Sequence, residues 1–395
     1  MEFLSSTFKN PENGKSFNIF NWDYLQIISL VFLSGVGLIF INSIGNQIGS
    51  EAASLFFEKQ LQWLCAGIIL WLIGSFVNVK SNLFFIFSIL FYIITVILLV
   101  AVLFIGIRKF GATRWLSFAG FRLQPSELAK PAIALMLAVI YSRFSVNSWK
   151  GFLFGATALF IPFLLILKEP DLGSAAILVP VYIGIVFVSK LKWKYLITAA
   201  IAACILGGAA VANEAMKIKP ILKSYQLDRI KVFLNPESDR LHRGYNAYQA
   251  RLAVGSGGKY GKGIGEGTQN SLGFLPHTVS NNDFIFSVIA EETGFAGCTF
   301  LLFGYLLLFI SILRTAVLTD NDFCRCFAAG TGIFLFCHVF INIGMSIGLT
   351  PVTGLPLPMI SYGGSSLLVT MASLGLLQSI YRRRPENKSL IRNVK

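Results

Sequence analysis

Charge is scarce in this 395-residue chain: 13% of its residues are Asp, Glu, Lys or Arg, where soluble domains carry about 25%. Set against 55% hydrophobic residues, that shortage excludes an ordinary soluble enzyme, a disordered polar tail and a coiled coil. Acids are the scarcer sign, 19 against 33 Lys+Arg, which leaves a formal net charge of +14. On a soluble protein such an excess would raise nucleic acid as a partner. On an apolar chain it is the bias of cytoplasmic loops toward Lys and Arg, and no nucleic-acid partner is expected. Cysteine occurs six times, at 65, 204, 298, 324, 326 and 337. Most of these lie in or beside apolar runs, and Cys324-x-Cys326 lacks the spacing of a zinc pair. Neither a disulfide framework nor a thiolate metal site is expected. The polar, mixed first 20 residues do not read as a cleavable leader, so the first apolar segment is expected to be a retained helix. No Walker A loop occurs.

What the chain does have is long apolar runs without strand-like alternation. In lipid every backbone polar group must be satisfied internally, and about 20 apolar residues make one spanning helix. Candidate spans lie near 23–43, 61–78, 83–106, 127–143, 151–168, 174–189, 195–213, 284–312, 326–348 and 366–381. The expected fold is all-α: one integral membrane domain over 1–395 with about ten transmembrane helices. A large extracytoplasmic loop at 214–283 and a basic cytoplasmic tail at 382–395 complete it. The runs KLKWK at 190–194 and RRR at 382–384 anchor both termini in the cytoplasm. That orientation leaves two basic segments outside. One is short, 107–126, with Arg108, Lys109, Arg114 and Arg122; the other is 214–283, with ten Lys/Arg. Headgroup anchoring and binding of an anionic lipid phosphate both account for this charge.

Acids at or inside the apolar runs are the candidate chemistry, because they are costly there unless used or paired. Asp283 stands where the long loop meets the run FIFSVIA. It reads as a helix-end carboxylate or as a general base. Glu291 and Glu292 lie two turns deeper and are expected to pair internally, with a basic residue of another helix. Glu127 and Lys130 share a helix face at i, i+3. Such a pair contributes only a few tenths of a kcal/mol on its own, so a polar cavity is the better reason for it. Asp171 reads as a helix cap. The glycines at 255–267 suit tight turns or a flexible loop. Breakers at Pro351, Gly354, Pro356 and Pro358 lead into MISYGGSS, which predicts a re-entrant or cavity-lining turn before the last helix.

Six stretches then carry a resemblance: GATRW (111–115), QPSELAK (124–130), EPDLG (169–173), RGYNAYQARLAVGSGGKYGKG (243–263), DFIFSVIAEETG (283–294) and GLPLPMISYGGSS (354–366). In this order, across most of the chain, they resemble the SEDS family (shape, elongation, division and sporulation). GTQNSLGFLP at 267–276 is more similar to its RodA-like elongation branch than to its division branch. The resemblance implies a peptidoglycan glycosyltransferase that polymerises lipid II outside the bacterial cytoplasmic membrane, releasing undecaprenyl pyrophosphate. It also implies a class B penicillin-binding protein as partner, within an elongation complex of membrane proteins. It makes Asp283 the catalytic carboxylate and puts Glu127 and Lys130 in the same cavity. The matched motifs further offer Arg114, Gln124, Ser126, Asp171, Tyr245, Asn246, Gln249, Gly257, Gly258, Lys262, Ser361, Tyr362, Gly363 and Ser365 as substrate-binding residues. One departure stands out: Asn281-Asn282 occupy the place where the family usually has His-Thr, and His277-Thr278 lie upstream.

Glycosyl transfer needs a base at the attacking hydroxyl and charge stabilisation at the leaving group. Asp283 fits the first role. Lys130 with Arg114 fits the second, and Glu127 would orient Lys130 or help hold a divalent cation, Mg²⁺ or Mn²⁺. Two rivals are a lipid II flippase, expected to place polar groups at the midplane with internal symmetry, and a scaffold that only recruits a transpeptidase.

Overall fold

The structure, a computed structural model, describes residues 21–48, 51–109, 112–118, 121–192, 233 and 244–385. The span expected near 195–213, the loop's first part and the tail beyond 385 lie outside the described residues.

Nine helices of 17 or more residues are present among the described residues: α1 (Tyr24–Ile48), α2 (Glu51–Phe76), α3 (Asn82–Ile105), α4 (Pro125–Arg143), α5 (Trp149–Lys168), α6 (Leu172–Val188), α10 (Ile285–Leu318), α11 (Asp322–Ile347) and α12 (Gly364–Arg382). Each answers one of the predicted spans. Seven are long and apolar enough to cross a membrane, so this is a multi-pass membrane protein. Their ends carry ordinary caps. Ser81 accepts from Phe84 N–H, Ser148 from Gly151 N–H and Asn321 from Cys324 N–H. Gly348, with φ 83°, closes α11.

The all-α expectation needs correcting. The short basic segment after α3 folds as three antiparallel strands, β1 (Ile107–Lys109), β2 (Ala112–Phe118) and β3 (Phe121–Leu123), in the order β1-β2-β3. Ile107 faces Trp115 and Leu116 faces Leu123. Glycines at 111 and 120 punctuate the segment between apolar and basic residues, a hairpin pattern hidden by its brevity.

α4 is the axis of the bundle, packed against α3, α5, α6, α11 and α12. Nearly every residue from Pro125 to Tyr141 is buried. Small residues Ala129, Ala132, Ala134 and Ala138 let its neighbours approach closely. α10 is two helices in one, broken at Gly294 with φ 65° and ψ −163°. The described part of the long loop is ordered and carries α7 (Tyr245–Ser256), α8 (Thr268–Ser271) and α9 (His277–Ser280). A largely buried segment, 351–363, runs without regular structure from α11 to α12. It is the predicted breaker-rich turn, and its backbone is held by protein groups.

Candidate active site

Pro125 starts α4 and places Glu127 in its first turn. Lys130 Nζ lies 2.6 Å from Glu127 Oε1 and 2.7 Å from His338 Nε2 of α11. All three side chains are buried. An ammonium only donates, so His338 Nε2 accepts from Lys130. Its proton therefore resides on Nδ1, which donates to Pro356 O at 3.1 Å. The i, i+3 pair thus becomes a buried three-member chain ending on the 351–363 segment.

Beside it, Asp171 caps α6 through Ser174 N–H at 3.2 Å. Its other oxygen accepts from Ser126 Oγ at 3.2 Å and Gln124 Nε2 at 3.3 Å. Arg114, from β2, reaches Asp171 at 3.9 Å and donates to the carbonyls of Glu169 and Pro170. The hairpin therefore delivers a cation to the α5–α6 turn. Glu169 is 0% exposed, and neither of its carboxylate oxygens finds a hydrogen-bond partner among the described residues. Burial, with Asp171 adding to it and Arg114 opposing, pushes its carboxyl up from 4.5 to about 9.

Asp283 ends the turn ahead of α10. Its N–H donates to Val279 O at 3.0 Å. Its carbonyl accepts from Asn342 Nδ2 at 2.8 Å, which also donates to Leu355 O at 2.8 Å. His338 and Asn342 sit one turn apart on α11, so one helix face straps the 351–363 segment to both Lys130 and Asp283. A Cβ on Gly354 would come within 3.3 Å of Asp283 Oδ2, so this glycine leaves the carboxylate its room. Ser361 Oγ donates to Asn282 O, and Tyr362 N–H donates to Asn281 O at 2.9 Å. Ser361 and Tyr362 thereby fix the Asn281-Asn282 turn. Gly363 N–H meets Gln60 Oε1 at 3.4 Å, and Ser365 Oγ ties α12 to the Arg122 carbonyl at 3.1 Å. His277 lies in α9, two turns of chain before Asp283.

The remaining sequence-predicted residues fall elsewhere. Tyr245, Asn246 and Gln249 lie on the half-buried side of α7, whose buried face is Ala247, Ala250 and Ala253. Gly257 is a packing position: a Cβ there would fall on Ala290 O. Gly258, with φ +56°, makes a turn with open space around it. Lys262 is taken by Glu291, Nζ to Oε1 2.6 Å, which also accepts from Thr268 and Gln269. Glu291 pairs internally as expected, with a loop lysine instead of one on another helix. Glu292 accepts from Ser43, Gln47 and Gly265 N–H. The two acids clasp the glycine loop to α1 and α10, so they belong to its support and not to the cavity.

Sequence reasoning missed His338, Asn342 and Glu169. His338 and Asn342 were findable as polar residues at i, i+4 inside an apolar span. As for a metal, no group of three or more His, Cys, Asp or Glu is placed to hold one among the described residues. Glu127 is occupied by Lys130, and Asp171 by Ser126, Gln124 and Ser174, so these donors do not form a resident cation site.

A carboxylate at Asp283 and an ammonium at Lys130, both tied to the 351–363 segment through α11, with the Arg114 guanidinium at the α5–α6 turn, make a layout compatible with transfer chemistry that has an anionic leaving group. The FtsW/RodA/SpoVE profile of cell cycle proteins matches residues 23–386. The chain is 36% identical to the peptidoglycan glycosyltransferase MrdB of Escherichia coli K12, over 95% of this chain and 97% of that one. It is 30% identical to the peptidoglycan glycosyltransferase RodA of Treponema pallidum, over 92% and 98%. Among solved structures, a chain from a peptidoglycan synthase complex that coordinates polymerization and crosslinking superposes with a TM-score of 0.77 at 28% identity, covering 93% and 99%. The rod shape determining protein RodA of Thermus thermophilus gives 0.68 at 26%, covering 93% and 99%.

Proposed function

Because this chain belongs to the FtsW/RodA/SpoVE family of cell cycle proteins, we propose that it is a peptidoglycan glycosyltransferase that polymerises lipid II into glycan strands during cell elongation. The observation that carries the site assignment is the α11 face: His338 and Asn342 tie Lys130 and Asp283 to one segment, 355–356.

Asp283 is the base toward the acceptor sugar hydroxyl. Its backbone is held on both sides, and Gly354 sets no side chain against its carboxylate. A base opposite the leaving group suits inversion at the anomeric carbon, by analogy with inverting hydrolysis. Arg114 and Lys130 stabilise the leaving pyrophosphate. Lys130 uses two of its three N–H groups on Glu127 and His338 and keeps one for a substrate oxygen. Glu127 orients Lys130. The ends of the bundle bearing Asp283 and Asp171 face the outside of the cytoplasmic membrane, where a class B penicillin-binding protein cross-links the product. Tyr245, Asn246 and Gln249, half-exposed on α7, offer polar contacts to the sugar-peptide.

The test is polymerisation of labelled lipid II by purified protein, with and without its cognate transpeptidase. Asp283→Asn is expected to lower the rate by about 10²–10⁴-fold while purifying and melting like wild type. Equal polymer from both proteins would overturn the assignment of the base.

A further inference from the structure

We infer that the loop 258–264 is a membrane anchor, seating Tyr260 and Ile264 at the headgroup–acyl boundary of the leaflet on the Asp283 side. The depth follows from α10. Beyond its break at Gly294 the helix runs from Phe295 to Leu318, about 36 Å at 1.5 Å per residue, enough for the ~30 Å hydrocarbon core. One end is fixed by charge: next to Leu318, Asp320 pairs with Lys80 at 3.1 Å and Asp322 with Arg325 at 2.7 Å. Phe295 is therefore at the other boundary.

The loop is bonded to that boundary through its backbone. Phe295 N–H donates to Gly258 O at 2.9 Å, and Ala296 N–H donates to Lys259 O at 3.0 Å. Lys262 and Gly263 N–H donate back to the carbonyls of Glu291 and Glu292, each at 3.0 Å. Gly261 and Gly294 make this approach possible, since a Cβ on either would collide with the other strand's backbone. From the strip so fixed, Tyr260 projects 73% exposed and Ile264 60% exposed. A contiguous exposed apolar patch marks a protein or membrane contact. Phe295, itself 72% exposed, and Phe300 continue the same uncovered surface down the lipid-facing side of α10.

The residue types fit a bilayer boundary. Tyr is enriched there. Lys259, with Nζ 5.1 Å from the Tyr260 ring centre, can run its stem along the acyl edge and put its ammonium among anionic phosphates. A protein partner would have to cover Phe295 too, which the bilayer already does.

The test places a benzophenone amino acid at 260, 264 or 300 in the full chain, reconstituted in phosphatidylglycerol/phosphatidylethanolamine vesicles with a class B transpeptidase present. After irradiation, intact-mass analysis should show addition of one phospholipid from 260 and 264, at a yield comparable to that from 300. Cross-links to the transpeptidase from 260 and 264 would overturn the anchor and make the patch a protein interface. No adduct at either position, with lipid still captured at 300, would overturn it as well by placing the loop in water.

Discussion

Lys130 is buried and tied to Glu127 and His338, which are buried with it. Removing one member of a buried pair leaves an uncompensated charge, which costs about 3–5 kcal/mol. Lys130→Met alone is therefore expected to lower stability by about that amount. The double variant Glu127→Gln/Lys130→Met should recover much of it while remaining inactive in glycan polymerisation. Thermal unfolding in detergent beside the lipid II assay separates the two effects. Glu169 makes a different prediction. With its folded value raised from 4.5 to about 9, the folded state holds a proton that the unfolded state releases between those pH values. Stability is thus fully present below about 4.5 and is lost as pH rises through about 9. Glu169→Gln should be nearly neutral at about pH 4.5 and should flatten the decline between there and about pH 9 in a melting series, growing more stable relative to wild type as pH rises. If wild type and variant decline in parallel, another group is responsible.

At the scale of elements, the glycine loop depends on two acids on one helical turn. Glu292 accepts from Ser43 and Gln47 of α1 and from Gly265 N–H. Gln47 then accepts from Asn270, which in turn accepts from Ser280 in α9, just ahead of Asp283. Glu292→Ala strands these donors and is expected to cost about 3 kcal/mol, with faster amide exchange across 258–268. Glu292→Gln keeps one acceptor oxygen and should lose less than half as much. Gly261→Ala should be at least as harmful, with φ +80° and a Cβ that would collide with Glu292 O. The contrast with the spans shows where sequence is legible. A membrane helix announces itself by local apolar length, so nine of the expected spans have counterparts, and α3 and α5 match to within two residues. α2 starts ten residues before its expected 61 because Glu58 and Lys59 dilute its hydropathy. Motif residues on short segments, such as Glu127, Lys130 and Asp171, were legible for the same local reason. The partnership of Lys130 with His338, 208 residues away, has no local signature. Nor does the support of Asp283 by Asn342, because each is a contact between elements and not a pattern within one.

The whole molecule gathers a set of bonded basic residues at one end. Arg382 lies buried between the rings of Trp22 and Phe76, at 4.3 and 4.5 Å, with Nη1 on Ser75 O. Arg383 reaches Phe76 O, Arg384 reaches Asn21, Arg314 reaches Tyr381 and Lys80 reaches Asp320. Asn147 receives Lys192 N–H and donates to Lys190 O. All of these bonds join helix ends at the face opposite Asp283, Asp171 and Arg114. By the positive-inside rule an end this rich in Lys and Arg is expected to be the cytoplasmic one, which accords with the outward orientation proposed for the candidate site. The same bonds place Lys192 at the basic end, whereas Gly265, bonded to Glu292, lies at the site end. Reporter fusions are therefore expected to separate: fluorescent protein active only when joined after Lys192, secreted phosphatase active only when joined after Gly265. A phosphatase signal at Lys192 would invert the molecule and put Asp283 on the cytoplasmic side. A lipid-linked acceptor presented outside could not reach it there, and the catalytic reading of Asp283 would fall with the topology.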